Sequence, residues 1–193
     1  LALVLTMFSL QSRPGPLPQG LAADVLFDGR VAAAETARIV AVAPDRRPGT
    51  AGDRAIAKRV ANAFGDSGFP VDPQGEFRHA GKRLLNVIGR RAGRSRHQIV
   101  IVADRDAATV PEATGSASDT AALIELARVL EGRATRKTLV LASLDGSTLG
   151  EVGARELLDE LPGVELVDAV LAVSDLASPT RRGSFLQAWS TNE

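Results

Sequence analysis

Three runs of mostly apolar residues mark the second half of the chain: QIVIVA at 98–103, KTLVLASL at 137–144 and VDAVLAV at 167–173. Each is nearly continuous instead of alternating, the pattern of a strand covered on both faces. Helical periodicity fills the gaps between them. Leu123, Leu126, Ala127 and Leu130 line one face of a helix with Gly132 just past its end, and GEVGARELLDEL at 150–161 gives a second helix stopped by Pro162. Strand, helix, strand, helix, strand predicts an α/β domain with a largely parallel sheet.

The first half reads differently. VAAAETARIVAVAP at 31–44 is Ala-rich and helical up to Pro44, APDRRPGTAGD is a loop, and AGDRAIAKRVANAFGDSGF places Ile56, Val60, Ala63 and Phe64 at helical spacing before Gly65 and Gly68. Residues 69–93 predict short strands with turns, the clearest being RLLNVIGRR at 83–91, followed by a basic turn. The chain opens on LALVLTMFSL, ten mostly apolar residues against the ~20 a bilayer span needs. The Pro and Gly spacing of SRPGPLPQG at 12–20 forbids helix. Residues 1–20 are therefore expected to be a clipped membrane anchor with its linker, or else a buried or disordered terminal segment, and residues 21–193 a single α/β domain.

Composition narrows the function classes. With 193 residues, 45% hydrophobic and 24% charged, the chain suits one domain with a substantial core. Lys+Arg and Asp+Glu are 23 each, so no net field draws it to nucleic acid, and none is expected as a partner. The absence of cysteine removes disulfides, thiol nucleophiles and zinc-thiolate sites. Most of the basic residues are arginine, which fits the general Ala, Gly and Arg enrichment, and Arg46 and Arg47 are expected to pair with nearby acids or loop carbonyls.

Ligands of open α/β sheets gather beyond the carboxyl ends of the strands. Here those ends carry Asp104 and Asp106, then Asp145 and Gly146, then Asp175, acidic groups of the kind common in turns and at helix N-termini, where they bind N-H groups, with convergence on a cation as the lesser reading. The serines in GSTLG and TGSAS lack the G-x-S-x-G spacing, and His79 and His97 fall at the wrong end of the strands to serve as their base.

The collinear series DRRPGTAGDRAIAKRVANAFGDSGFPV, LLNVIGRRAG, IVIVADRDA, GSASDTAALIELARVL and LVLASLDGSTLGEVGARELL, covering most of residues 44–175, resembles the two-zinc aminopeptidase family. That fold also serves glutaminyl cyclases and the non-enzymatic ectodomain of the transferrin receptor. The resemblance implies a three-layer α/β fold with a largely parallel mixed sheet flanked by helices, truncated at the C-terminus. It also implies where the chemistry would sit. The family's His-x-Asp motif falls on Asp104 and Asp106, its metal-bridging Asp on Gly115, and the two glutamates of Asp-Gly-Glu-Glu on Ser147 and Thr148. Asp175 matches the family's next metal-binding Asp, and its last His ligand would lie beyond Glu193. Glu151 lies three residues past Thr148, and enlisting Asp119 in place of Gly115 would require a four-residue deletion at the helix start.

The expectation is a catalytically degenerate aminopeptidase-like domain. It would be membrane-anchored or exported, extracytoplasmic, and would act as an interaction or scaffold module for an unidentified protein partner with no cofactor. The alternative is a metal-dependent aminopeptidase with rearranged ligands, holding zinc or another divalent cation at Asp104 and Asp175 with Asp106 in support, and acting on a peptide. A third reading makes the chain one part of a larger membrane protein, a transporter or receptor.

Overall fold

Asp28 opens the first helix by accepting the Arg30 N-H at 2.8 Å. This helix, α1, runs Gly29–Val42 and stops ahead of Pro44. Thr50 starts α2, Ala51–Asp66, with its hydroxyl accepting the Asp53 N-H at 3.3 Å. Ile56, Val60 and Phe64 recur at helical spacing along α2 and are fully buried. Glu35 of α1 holds Arg59 of α2 with both carboxylate oxygens. The computed structural model describes residues 27–72, 75–109, 115–174 and 176–177, so the expected anchor and linker at 1–20 lie outside the described residues.

A two-stranded hairpin follows, β1 Glu76–His79 against β2 Lys82–Leu85. The main sheet contains β3 Val87–Arg91, β4 Ser95–Asp104, β5 Lys137–Leu144 and β6 Val167–Val173 in the order β3-β5-β4-β6. β4 is parallel to β5 and β6, and β3 is antiparallel to β5, giving the mixed, largely parallel sheet read from the sequence. The crossovers are α3, Ser116–Leu130, and α4, Val152–Glu160.

Alternate positions of the central strands face opposite layers. Ile101, Ala103, Leu139 and Leu141 pack with α2 and α3, whereas Val100, Val140 and Ala142 pack with Leu157 and Leu161 from α4 and its end. The result is the three-layer arrangement expected.

Two expectations are corrected. The run RLLNVIGRR is two strands in separate sheets, divided at Asn86. Buried Asn86, at the break, ties the segment after β5 to α4: its Oδ1 accepts the Asp145 N-H at 3.1 Å and its Nδ2 donates to Gly153 O at 2.8 Å. The run VDAVLAV is not covered on both faces. Among the described strands it pairs only with β4, and Val170 and Leu171 stand 56% and 42% exposed.

Candidate functional site

β4 and β5 end in register, Asp104 opposite Leu144, so the segments Arg105-Asp106 and Asp145-Gly146 leave the sheet side by side. The Arg105 N-H donates to Leu144 O at 2.9 Å, which continues the pairing one step beyond the strands. Gly146 then turns the chain at φ +81, and a Cβ there would meet Val152 Cγ2 at 2.5 Å. A short 3₁₀ turn, Ser147–Leu149, follows.

Asp106 closes onto that turn. Its Oδ1 accepts the Ser147 N-H at 2.9 Å and the Ser147 hydroxyl at 2.8 Å, while its Oδ2 accepts the Thr148 N-H at 3.0 Å and the Thr148 hydroxyl at 2.6 Å. The carboxylate is 2% exposed, and each of its oxygens already takes two donors. Such an arrangement fixes a turn as a helix cap does. Ser147 and Thr148 therefore spend their hydroxyl protons on Asp106.

Beneath this turn lies a sealed ionic cluster. Arg105 is fully buried and grips Asp53 of α2 with Nε to Oδ1 at 2.8 Å and Nη2 to Oδ2 at 3.0 Å. Its remaining hydrogens go to Leu85 O at 2.6 Å, Ser143 O at 3.1 Å and Ser143 Oγ at 3.4 Å. Asp145, also fully buried, sits with Oδ2 3.7 Å from Arg105 Nη2 and accepts the Leu85 N-H at 3.1 Å, while its Oδ1 has no hydrogen-bond partner among the described residues. Burial, reinforced by the Asp53 carboxylate and opposed by Arg105, pushes the Asp145 carboxyl up to about 7. For Arg105, burial works against its charge, but Asp53 and Asp145 outweigh it and the net direction is upward. A carboxyl raised this far is the kind used in proton transfer, yet Asp145 is fully enclosed. Two carboxylates, Asp53 and Asp145, thus face one buried guanidinium.

The other predicted positions are scattered. Asp104 ends β4 half-buried, and its carbonyl accepts the Thr120 hydroxyl at 3.0 Å. Gly115 is the N-cap of α3 at φ +66, a backbone conformation that an aspartate would adopt only under strain. Asp175 lies outside the described residues. Asp119, in the first turn of α3, is buried and accepts the Leu176 N-H at 3.1 Å, so it fastens the helix to the segment just after Asp175. Glu151 is exposed at the start of α4 with φ +61. His97 Nδ1 lies 2.8 Å from Asp168 Oδ1, His97 in the first half of β4 and Asp168 near the start of β6, and His79 ends β1. Arg46 is buried and donates to Ala43 O at 2.9 Å, while Arg47 clasps Asp45, as expected of both.

Sequence reasoning missed Asp53 and Arg105. The available signals were faint: an aspartate three positions after the N-cap threonine, and an arginine flanked by two aspartates at a strand end.

This geometry has counterparts among known proteins. A glutaminyl cyclase from an Acidobacteriales bacterium superposes with a TM-score of 0.65 at 22% identity, over 83% of this chain and 62% of that one. BSAP, a zinc aminopeptidase from Bacillus subtilis, gives 0.68 at 10% identity over 77% of this chain and 69% of that one. The glutaminyl cyclase of Porphyromonas gingivalis gives 0.61 at 23% identity over 78% and 59%. Human transferrin receptor protein 2 is 41% identical over 98 residues, which is 47% of this chain and 12% of the receptor. No family model matches the chain. The chain has the fold shared by zinc aminopeptidases and glutaminyl cyclases, as the motif series at 44–175 implies, and it spans only part of the length of these relatives.

Two zinc ions do not fit the donors present among the described residues. No group of three or more His, Cys, Asp or Glu side chains there is placed to hold a metal ion. Asp106 is saturated by the 3₁₀ turn and Gly115 offers no ligand atom. No helix of the described residues is long and apolar enough to cross a membrane.

Proposed function

We propose that this chain is a non-catalytic domain on the aminopeptidase fold that works by binding another protein, as a membrane-tethered or exported module. One observation carries the proposal: Asp106 is used to fasten Ser147 and Thr148, the positions where the resemblance puts the family's base and one of its ligands. Metal-assisted hydrolysis needs a base and an open coordination position, and losing a base alone costs about 10²- to 10⁴-fold in rate. The likeness to transferrin receptor protein 2, a receptor by name, supports a binding role and a place at a membrane. With Lys+Arg and Asp+Glu equal, the partner is a protein and not a polyanion.

The test is a calorimetric zinc titration of the chain, paired with an assay on aminoacyl and N-terminal glutaminyl substrates. Absence of binding at about micromolar zinc, with no turnover, supports the proposal. Zinc binding and hydrolysis that both disappear in Asp104→Ala and Asp175→Ala would overturn it and establish a metallopeptidase with rearranged ligands.

A further inference from the structure

Charge balances over the whole chain but not at one end of the sheet. The stretches RRAGRSRH at 90–97, joining β3 to β4, and EGRATRK at 131–137, joining α3 to β5, hold six arginines and Lys137 against Glu131 alone. They lie side by side: the Arg94 N-H donates to Thr135 O at 3.1 Å and the Ser95 N-H to Arg136 O at 2.8 Å. Thr138 locks them further, its hydroxyl donating to Ser95 O at 3.0 Å and accepting the Gly93 N-H at 3.2 Å. Gly93 permits the close approach, since a Cβ there would lie 2.3 Å from the Lys137 carbonyl carbon. The two turns form one rigid rim. β4 runs from Ser95 to Asp104, so the rim stands the length of that strand, about 30 Å, from Asp106 and its turn.

Arg90, Arg94, Arg96 and Arg136 are exposed on this rim, and none has a side-chain hydrogen bond or ion pair with a described residue. The nearby acid of β6, Asp168, is taken by Lys137 Nζ at 2.5 Å and His97 Nδ1 at 2.8 Å. Arg91 turns inward over the Phe69 ring, 4.3 Å from its centroid. Neighbouring strands stand about 4.8 Å apart, inside the ~8 Å Debye length, so charges on the two turns act as one local field. We infer that this arginine rim is the surface through which the domain holds its partner, and that the partner offers it a short acidic segment of protein. The inference rests on the binding role proposed above and gives it a place and a chemistry. A guanidinium takes a carboxylate through two parallel hydrogen bonds, a geometry that lysine lacks. A nucleic acid or an anionic membrane fits less well, because its charge extends beyond the rim, where a chain with 23 acidic and 23 basic residues offers no net attraction. A few consecutive Asp or Glu residues cover the rim and no more.

The probe is fluorescein-labelled hexaglutamate, titrated with the intact chain at about 50 mM salt and followed by anisotropy. Binding is expected, weakening as salt rises. Arg94→Glu with Arg136→Glu should weaken it at least about tenfold. Arg78→Glu with Arg155→Glu, at the cleft between β1 and α4, makes the same change in net charge and should weaken it no more than about twofold. The pair Arg94→Gln with Arg136→Gln adds no acid and should lose about threefold, which keeps the test in force if the charge-reversed pair fails to fold. No binding of hexaglutamate would overturn the inference. Equal losses in the two charge-reversed pairs would also overturn it, by showing that only net charge is felt. Tighter capture by phosphatidylserine vesicles or single-stranded DNA, lost in the Arg94 and Arg136 variants, would do so by giving the rim to a membrane or a nucleic acid. None of these outcomes depends on the zinc titration, which bears on catalysis alone.

Discussion

Arg105 and Asp53 face each other as a bidentate pair, Nε to Oδ1 at 2.8 Å and Nη2 to Oδ2 at 3.0 Å, with neither side chain exposed. Removing one partner strands a buried charge. Arg105→Met is expected to cost about 3 to 5 kcal/mol in urea unfolding. Replacing both members, Arg105→Met with Asp53→Leu, should recover a large part of that loss. A double-mutant cycle that instead returns simple additivity would show that the pair is not coupled.

Asp145 makes stability depend on pH in an unusual direction for an aspartate. Its folded value, about 7, lies above the ordinary 3.8, so the native state holds a proton that the unfolded chain releases between those values. The contribution of this group is complete below 3.8, declines across that interval and is lost as pH rises through about 7. The urea midpoint should fall from mildly acid to mildly alkaline solution, and Asp145→Asn should flatten that slope. An unchanged slope in the variant would place the proton elsewhere.

Asp106→Ala removes four hydrogen bonds from Ser147 and Thr148. The expected loss is about 2 kcal/mol, the upper range for a cap. Amide exchange at Ser147 and Thr148 should accelerate more than exchange along β5, because the damage is confined to the turn.

Gly153 and Gly65 separate two kinds of glycine. A Cβ on Gly153 would lie 2.2 Å from Asp145 O and 2.8 Å from Asn86 Oδ1, so Gly153→Ala should destabilise by about 1 to 3 kcal/mol. Gly65 sits in α2 with open space around it, and Gly65→Ala should stabilise by up to about 1 kcal/mol. Thermal unfolding of both variants checks the contrast.

Much of this architecture was legible in local pattern. The continuous runs at 98–103 and 137–144 are central strands, and the apolar spacing of Leu123 and Ala127 marks the buried face of α3. The run at 167–173 carries the same signal yet is the last of the described strands in the sheet order, because composition reports what a strand can bury and not which neighbours reach it. The break at Asn86 was hidden as well, and the partner of its side chain, Gly153, stands far along the chain. At the site, nothing local told Asp106, which faces the turn after β5, from Asp145, which faces inward. That difference depends on Arg105, whose partner stands 52 positions earlier.

The strand order has a consequence for how the chain assembles. β3 and β4 are neighbours in sequence, but β5 separates them in the sheet, and the Arg105 cluster takes groups from 53, 85, 143 and 145. A chain emerging from the ribosome therefore has helices to form early but no central sheet to close until Leu144 is out. Contacts of such long sequence separation make folding slow. The wait leaves the apolar strands 87–91 and 98–103 without their shared partner, which makes this interval the one in which a chaperone would matter most.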